Sequence, residues 1–181
     1  MFENTNIFLI SEVFNYERGQ RLIKRDQING DIPYISSTMK NNGVDNLISL
    51  KSKNSKTNKH PKLYKNSLTI ANSGSIGSVF YHPYSFIASD HVTVLSLKDR
   101  KLDFKLAFFF TVILNQKSSQ YSYNREISNE RMEVEKITLP VDSNEDIDWN
   151  FIYDFIENKL QFKKLKNELS KYNYISEPLA N

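Results

Sequence analysis

The residues best suited to chemistry lie in a polar stretch that follows a short run of β-forming side chains. In "GDIPYISSTMKNNGV" (30–44), the apolar residues from Ile32 to Ile35 favour a strand, and the chain turns polar before Gly43. A plain hairpin needs only two to five turn residues. Side chains of this kind hydrogen-bond to base edges in a major groove, where Asn pairs with adenine and Ser or Thr takes either role. The candidate base-reading residues are Ser36, Ser37, Thr38, Lys40, Asn41 and Asn42.

An ordinary surface loop is the alternative for this stretch, because Asn and Ser often hydrogen-bond their own backbone in turns. A second polar stretch, "YSYNREIS" (121–128), offers Tyr123, Asn124, Arg125 and Ser128. Arginine is the most common specific reader of guanine. The alternative for this second stretch is a surface ion pair between Arg125 and either Glu126 or Glu130. Both stretches are therefore candidate nucleic-acid contacts.

Positive charge is concentrated although the net charge is only +3. The segment "KSKNSKTNKHPKLYK" (51–65) holds six lysines and no acidic residue. Lysines such as Lys56 and Lys59 suit contacts to phosphates, which release condensed counterions when neutralised. A solvated, mobile loop is the alternative. A further cluster of basic residues is expected to clamp phosphates and set the register of binding: Arg18, Arg21 and Lys24.

Catalytic motifs are scarce in this sequence. It has no Gly-rich phosphate loop before a helix, no His-Glu-x-x-His and no Gly-x-Ser-x-Gly. Cysteine is absent, which excludes disulfides and thiolate metal sites. His91 beside Asp90 is a conceivable base, but a hydrogen-bonded structural histidine is the favoured interpretation. We therefore expect a binding protein without a catalytic or metal site.

The elements that position these residues follow from apolar periodicity. We expect a strand and a helical turn capped by Ser11 within residues 6–14, a second strand at 32–35, and several strands across 67–97 with a tight turn at "SGSIG". The run "KLAFFFTVILNQ" (105–116) predicts a buried helix, and "KITLP" (136–140) predicts a last strand. The expected fold is α+β, with a mixed, twisted β-sheet and packed helices.

A long helical pattern ends the chain, from Trp149 to Tyr172. Apolar residues with a 4-3 spacing form a heptad seam that contains a single polar residue, as in a coiled coil: Phe151, Phe155, Asn158, Phe162, Leu165, Leu169 and Tyr172. Ile152 and Ile156 widen the stripe at its start. Docking on the chain's own domain is the alternative to a partner helix. We expect one domain at 1–145 and a C-terminal spacer or dimerisation helix at 146–181.

Neither a membrane span nor a signal peptide is expected. No apolar run approaches the ~20 residues of a membrane span, and the start "MFENTNIFLISEV" lacks a basic head and a cleavage site. These features predict a cytoplasmic protein with no membrane partner.

Four segments in order carry a resemblance to a known family: "GDIPYISSTMKNNGV", "LTIANSGSIGSVFYHPYSFIASDHVTVL", "SYNREISNERMEVEKITLPV" and "DWNFIYDFI". Together they resemble the target recognition domain of type I restriction–modification specificity subunits and of related type II systems. The similarity covers roughly residues 6 to 172. It implies recognition of a double-stranded DNA sequence by a subunit that does no chemistry itself.

The resemblance also implies partners. In the family, the long helix packs against its counterpart and docks a DNA adenine methyltransferase subunit, which brings S-adenosylmethionine; a magnesium-dependent endonuclease subunit can join. Full-length specificity subunits carry two recognition domains and two helices, whereas this chain has one of each. A homodimer through the C-terminal helix is therefore expected, reading a palindromic, interrupted site. Three alternatives agree with a chain that has one domain and one helix: a natural half subunit, a fragment of a longer subunit, and a silent cassette.

Two functions of other classes remain as alternatives. One is a self-contained nuclease that works from Asp90, His91 and Glu126. The other is a single-strand or RNA-binding module that stacks bases on its tyrosines.

Overall fold

The computed structural model of the chain describes residues 4–117 and 127–159. Within them the chain alternates short strands with four helices, and two 3₁₀ turns lie at Lys24–Asp26 and Lys40–Gly43. In chain order the elements are β1 (Thr5–Leu9), α1 (Ile10–Val13), β2 (Phe14–Arg18), β3 (Asn29–Ile35), β4 (Val44–Ile48), β5 (Leu63–Tyr64), β6 (Ser67–Ala71), β7 (Val79–His82), β8 (Phe86–Ala88), β9 (Val92–Leu97), α2 (Phe104–Asn115), α3 (Asn129–Val134), β10 (Lys136–Pro140) and α4 (Trp149–Lys159).

The described strands form three sheets rather than the single sheet expected from the sequence. One has the order β2-β9-β6-β7 and is antiparallel throughout. The second has the order β4-β3-β8-β5, and it is mixed because β3 and β8 run parallel while its other pairs are antiparallel. The strands β1 and β10 form the third sheet. The α+β class and the mixed pairing are therefore confirmed, and the expectation of one sheet is wrong.

Apolar strands and the helix α2 build the core of the unit Ile7–Thr138. All five residues of β6 are buried, as expected for a central strand. The helix begins where the carboxylate of Asp103 accepts a hydrogen bond from the Leu106 N–H at 2.9 Å, an N-cap. Its Phe110 packs edge-on against Phe14 of β2, with ring centroids 4.9 Å apart. The predicted buried helix at 105–116 is thus confirmed, with both boundaries shifted by one residue.

Local chemistry near the start of the chain differs from the prediction. Ser11 does not cap α1; its hydroxyl donates to the Glu133 carbonyl at 3.1 Å. The Leu9 N–H is instead bound by the Glu12 carboxylate at 2.6 Å. The strand β2 and the helix α3 were not predicted, because each is short and carries polar residues between its apolar ones.

The second unit includes the described residues 4–6 and 139–159 and contains α4. This helix begins with the Asp148 carboxylate accepting from the Phe151 N–H at 2.8 Å. Its residues Ile152 and Ile156 are buried. The predicted continuation of the helix to Tyr172 lies outside the described residues, and the domain boundary at 145/146 stays a prediction.

Among residues 4–117 and 127–159, none of the helices combines the length and the apolar character of a membrane span.

Candidate nucleic-acid interface

The β3–β4 loop (residues 36–43) is a closed turn whose polar side chains serve partly its own backbone. Its ends are joined by a hydrogen bond from the Ser36 N–H to the Gly43 carbonyl at 2.8 Å. Asn41, Asn42 and Gly43 all have left-handed backbone angles, with φ of 49°, 53° and 83°. Asparagine and glycine tolerate this region best. The local turn therefore explains part of the Asn-Asn-Gly sequence without any ligand.

Exposure divides the β3–β4 loop into a base and a tip. Ser36, Ser37 and Thr38 are half-buried, and the Thr38 hydroxyl accepts from the Lys40 N–H at 3.2 Å. The tip is exposed, from Met39 to Asn42. Lys40, Asn41 and Asn42 can thus reach an external partner, whereas the three residues of the base are partly engaged within the fold.

A second turn supports the base of this loop. The Ser75 N–H donates to the Ser37 carbonyl at 3.2 Å. Gly74 has φ of +61°, and a Cβ added there would lie 2.9 Å from both the carbonyl and the hydroxyl oxygen of Ser37. The tight turn predicted at "SGSIG" is confirmed, and Gly74 is required because the two loops approach so closely.

The lysine loop (residues 49–62) is fixed by hydrogen bonds rather than freely solvated. Asn54 donates from Nδ2 to the Arg21 carbonyl at 2.6 Å and accepts at Oδ1 from the N–H groups of Lys56 and Thr57, both at 2.9 Å. The Asp26 carboxylate accepts from the backbone of Ser55 at 3.0 Å. The predicted phosphate-contacting residues Lys56 and Lys59 are exposed on this framework.

Two of the three predicted phosphate clamps are anchored on one acidic residue. Arg18 donates from Nε to the Asp90 carbonyl at 2.7 Å, and the Arg21 guanidinium lies 3.3 Å from the Asp90 carboxylate. The Arg21 side chain keeps 65% of its surface exposed. Lys24 is exposed in its 3₁₀ turn. Arg21 is therefore oriented by Asp90 and remains accessible from outside.

His91 is held by a serine rather than by its neighbouring carboxylate. Its Nδ1 lies 2.8 Å from the Ser73 hydroxyl, and its Nε2 lies 3.9 Å from the Asp90 carboxylate. The second distance is too long for a hydrogen bond. Asp90 and His91 thus form no direct hydrogen bond with each other, and Glu126 lies outside the described residues.

A polar cleft of about 370 Å³ lies between the base of the β3–β4 loop and the Asp90–His91 segment. Its walls bring together three of the predicted residues: Arg21, Lys24 and Ser36. Tyr34 is buried below, and its hydroxyl donates to the Leu22 carbonyl at 3.4 Å. Burial raises the pKa of Tyr34 to about 12, so the phenol stays neutral at ordinary pH.

Three further cleft residues were missed from the sequence: Gln27, Asp45 and Asn46. Asn46 donates from Nδ2 to the Gln27 Oε1 at 3.1 Å. The available signal was the pair "DN" inside the β4 sequence "VDNLI". Asp and Asn are depleted in strands, so their presence in one indicates a role other than strand formation.

Other predicted contacts fall elsewhere. Ser128 is the N-cap of α3, where its hydroxyl accepts from the Arg131 N–H at 3.3 Å. Tyr123, Asn124 and Arg125 lie outside the described residues. Ser128 thus has a structural role that the sequence interpretation overlooked.

The start of the predicted heptad seam lies on a different side of α4 from its buried residues. Phe151 is 38% exposed and stacks on Phe155 with ring centroids 6.1 Å apart, and Asn158 is exposed. Ile152 and Ile156 are buried. The four other seam positions lie outside the described residues: Phe162, Leu165, Leu169 and Tyr172.

Metal-binding clusters are not found in the parts of the chain described, 4–117 and 127–159, where no three His, Asp or Glu side chains converge.

The family model of the type I restriction modification DNA specificity domain matches residues 3–171, and the chain belongs to this family. The chain is 30% identical over 164 residues to the specificity subunit S.BcgI of a type II restriction enzyme from Heyndrickxia coagulans. That match covers 89% of this chain and 46% of the relative. The chain thus spans about half the length of this curated relative.

Solved structures with the same fold come from the same class of protein. The S subunit of a type I restriction–modification system from M. genitalium superposes with a TM-score of 0.59 at 16% identity, covering 94% of this chain and 44% of that one. The HsdS subunit from Thermoanaerobacter tengcongensis superposes with a TM-score of 0.57 at 13% identity, covering 92% of this chain and 40% of that one. These similarities establish the fold.

Proposed function

We propose that this chain is a DNA-reading specificity half-subunit of a restriction–modification complex. The family match along residues 3–171 supports this proposal. The observation that carries it is the polar cleft, because Ser36 lies both in its wall and at the base of the β3–β4 loop. The cleft is also joined to the lysine loop through the bond from Asn54 to Arg21.

The two loops divide the work of binding duplex DNA. Exposed Lys40, Asn41 and Asn42 at the tip of the β3–β4 loop contact base edges, where Asn pairs with adenine. Lys56 and Lys59 contact phosphates, which supply affinity and salt dependence but no sequence information. The remaining proposed phosphate contacts are Arg18, Arg21 and Lys24.

The proposed complex places chemistry on other subunits. A DNA adenine methyltransferase subunit brings S-adenosylmethionine, and an endonuclease subunit that uses magnesium can join it; this chain binds neither cofactor. Two copies pair through the seam that begins at Phe151 and supply two recognition domains, since one chain matches about half of its relatives. Such a homodimer reads a palindromic, interrupted site.

Co-expression with a DNA adenine methyltransferase encoded beside the gene tests this proposal. We expect one complex by size-exclusion chromatography with light scattering, and adenine methylation at a single sequence motif in the host DNA. The control expresses the methyltransferase without this chain and should leave that motif unmethylated. The absence of both a complex and motif-specific methylation would refute the proposal.

Two incubations separate the alternatives. The pure chain with duplex DNA and Mg²⁺ should give no cleavage, whereas a self-contained nuclease would cut. Competition between duplex, single-stranded DNA and RNA should favour the duplex. Preference for single strands would support the module that stacks bases on tyrosines.

A further inference from the structure

Two amide side chains in the polar cleft form a chain of hydrogen bonds with backbone groups at both ends. Gln27 donates from Nε2 to the Leu22 carbonyl at 3.1 Å. Its Oε1 accepts from the Asn46 Nδ2 at 3.1 Å. The Oδ1 of Asn46 accepts from the Leu47 N–H at 2.9 Å. Both amides are therefore held in place by the fold.

The terminal backbone groups also fix which way each amide faces. A carbonyl such as that of Leu22 requires the nitrogen of Gln27, and an N–H such as that of Leu47 requires the oxygen of Asn46. Each side-chain NH₂ group uses one proton in this chain and retains one. The cleft consequently presents two neighbouring amide donors in a fixed arrangement.

A register shift brings a carboxylate beside these donors. In the pairing of β3 with β4, Tyr34 lies opposite Asn46 and Ile35 lies opposite Val44, which leaves Asp45 as an extra residue. In a regular strand, adjacent side chains point to opposite faces. A bulge re-aims a side chain, and here both Asp45 and Asn46 line the same cleft.

The cleft carries both signs of charge, and its one exposed carboxylate suits a hydrogen-bond donor. Asp45 and Asp90 line the cleft together with the cations Arg21 and Lys24. Asp90 is engaged by Arg21 at 3.3 Å, whereas Asp45 is exposed. Guanine presents two adjacent acceptors, N7 and O6, on its major-groove edge, and cytosine presents the N4 donor. Two donors beside one acceptor match that pattern.

We propose that the polar cleft reads one G·C base pair, with Gln27 and Asn46 donating to guanine N7 and O6 and Asp45 accepting from cytosine N4. This inference rests on the proposed function and extends it to a second base-reading surface besides the β3–β4 loop. It assigns a base identity to three residues that belong to none of the predicted contact groups.

Selection from a random duplex library tests the assignment. The full chain, in complex with its methyltransferase subunit, should select a motif containing a G·C pair at one position. Asp45→Ala should lower the discrimination for that pair roughly tenfold and leave the other positions unchanged. Asp31→Ala is the matched control, because Asp31 is also exposed and its loss changes the charge equally. It should leave every position unchanged.

Chemical modification of the DNA tests the donors. Replacing the guanine of that pair by 7-deazaguanine removes the N7 acceptor and should weaken binding of the wild type roughly tenfold. The same replacement should have little further effect on Gln27→Ala, whose donor to N7 is already gone, once its melting temperature confirms folding. The same base analogue at other guanines should affect both proteins equally.

The outcomes distinguish this inference from the proposed function. A wild type that selects no motif refutes both. A wild type that selects a motif, with unchanged preferences in Asp45→Ala and Gln27→Ala, refutes the cleft assignment alone. Uniform weakening of binding by both variants across all sequences also refutes it, because the cleft would then contact the backbone.

Discussion

The Thr69 hydroxyl lies 2.9 Å from Nε2 of His82, and both side chains are buried between the paired strands β6 and β7. The Nδ1 atom of the same imidazole lies 3.1 Å from the Tyr84 hydroxyl. Burial disfavours the charged imidazolium and lowers the pKa of His82 from 6.5 to about 4. The histidine is therefore neutral at ordinary pH and has a structural role.

This burial predicts a loss of stability in acid. The unfolded state takes up a proton as the pH falls through 6.5, while the folded state does so only near 4. The stability that depends on the neutral His82 imidazole is fully present above pH 6.5 and is lost between pH 6.5 and 4. This loss amounts to about 3 kcal/mol of unfolding free energy. Urea unfolding of wild type and His82→Asn should show their difference in unfolding free energy shrinking by about that amount from pH 7 to 4. A constant difference would contradict the prediction.

Gly74 should be required for the position of the β3–β4 loop. Alanine there would adopt φ of +61° and bring its Cβ within 2.9 Å of Ser37. We expect Gly74→Ala to lose roughly 1–3 kcal/mol of unfolding free energy, measured by urea denaturation. Ser75→Ala is the control, because the hydrogen bond to Ser37 comes from its backbone. Equal stability of the two variants would contradict this view.

Asn54 should hold the lysine loop in place. Asn54→Ala removes three hydrogen bonds, to Arg21, Lys56 and Thr57. Local opening should then expose the lysines, and trypsin should cut this loop roughly tenfold faster. Thr57→Ala keeps the Asn54 bonds and should resemble wild type. Unchanged cleavage of Asn54→Ala would show that other contacts hold the loop.

Affinity and specificity should separate between two basic residues. Lys56→Ala should weaken binding to all duplex sequences alike and reduce the salt slope by about 0.9. Arg125→Ala should alter the preferred sequence by ~1–3 kcal/mol at one position. Fluorescence anisotropy over a salt series measures the first effect, and library selection measures the second. Identical behaviour of both variants would refute this division.

The two sides of α4 should respond differently to truncation. Ile152 is buried, so Ile152→Ala should cost about 2–5 kcal/mol of stability. Phe151 is 38% exposed and begins the seam, so Phe151→Ala should weaken self-association with a smaller loss of stability. Thermal unfolding and light scattering measure the two properties. Association that persists in Phe151→Ala would argue against the seam.

Several elements could be predicted because their signals are local. The apolar run of α2 with Asp103 before it, and the alternation in β9 and β10, depend on neighbours a few residues apart. The same holds for the turn around Gly74. The motifs quoted in order were also sufficient to place the chain in its family, which the family model confirms.

The tertiary structure determined which strands and side chains these elements bring into contact. The division of the strands into three sheets depends on pairings such as β3 with β8, which lie about fifty residues apart. The capping role of Ser128 depends on where α3 begins, and the role of Ser11 depends on a contact with Glu133. No local pattern encodes contacts between distant segments.

The sequence by itself determined the chemistry available, namely polar and basic loops on an apolar β-rich body without catalytic motifs. Only the tertiary structure brought Gln27 and Asn46 into one cleft, because the β3–β4 pairing joins residues nineteen positions apart. The bulge at Asp45 arises from that pairing too, and side-chain direction in a strand follows its register. The sequence specifies the residue types, whereas the orientation of these side chains relative to one another depends on the pairing of the strands.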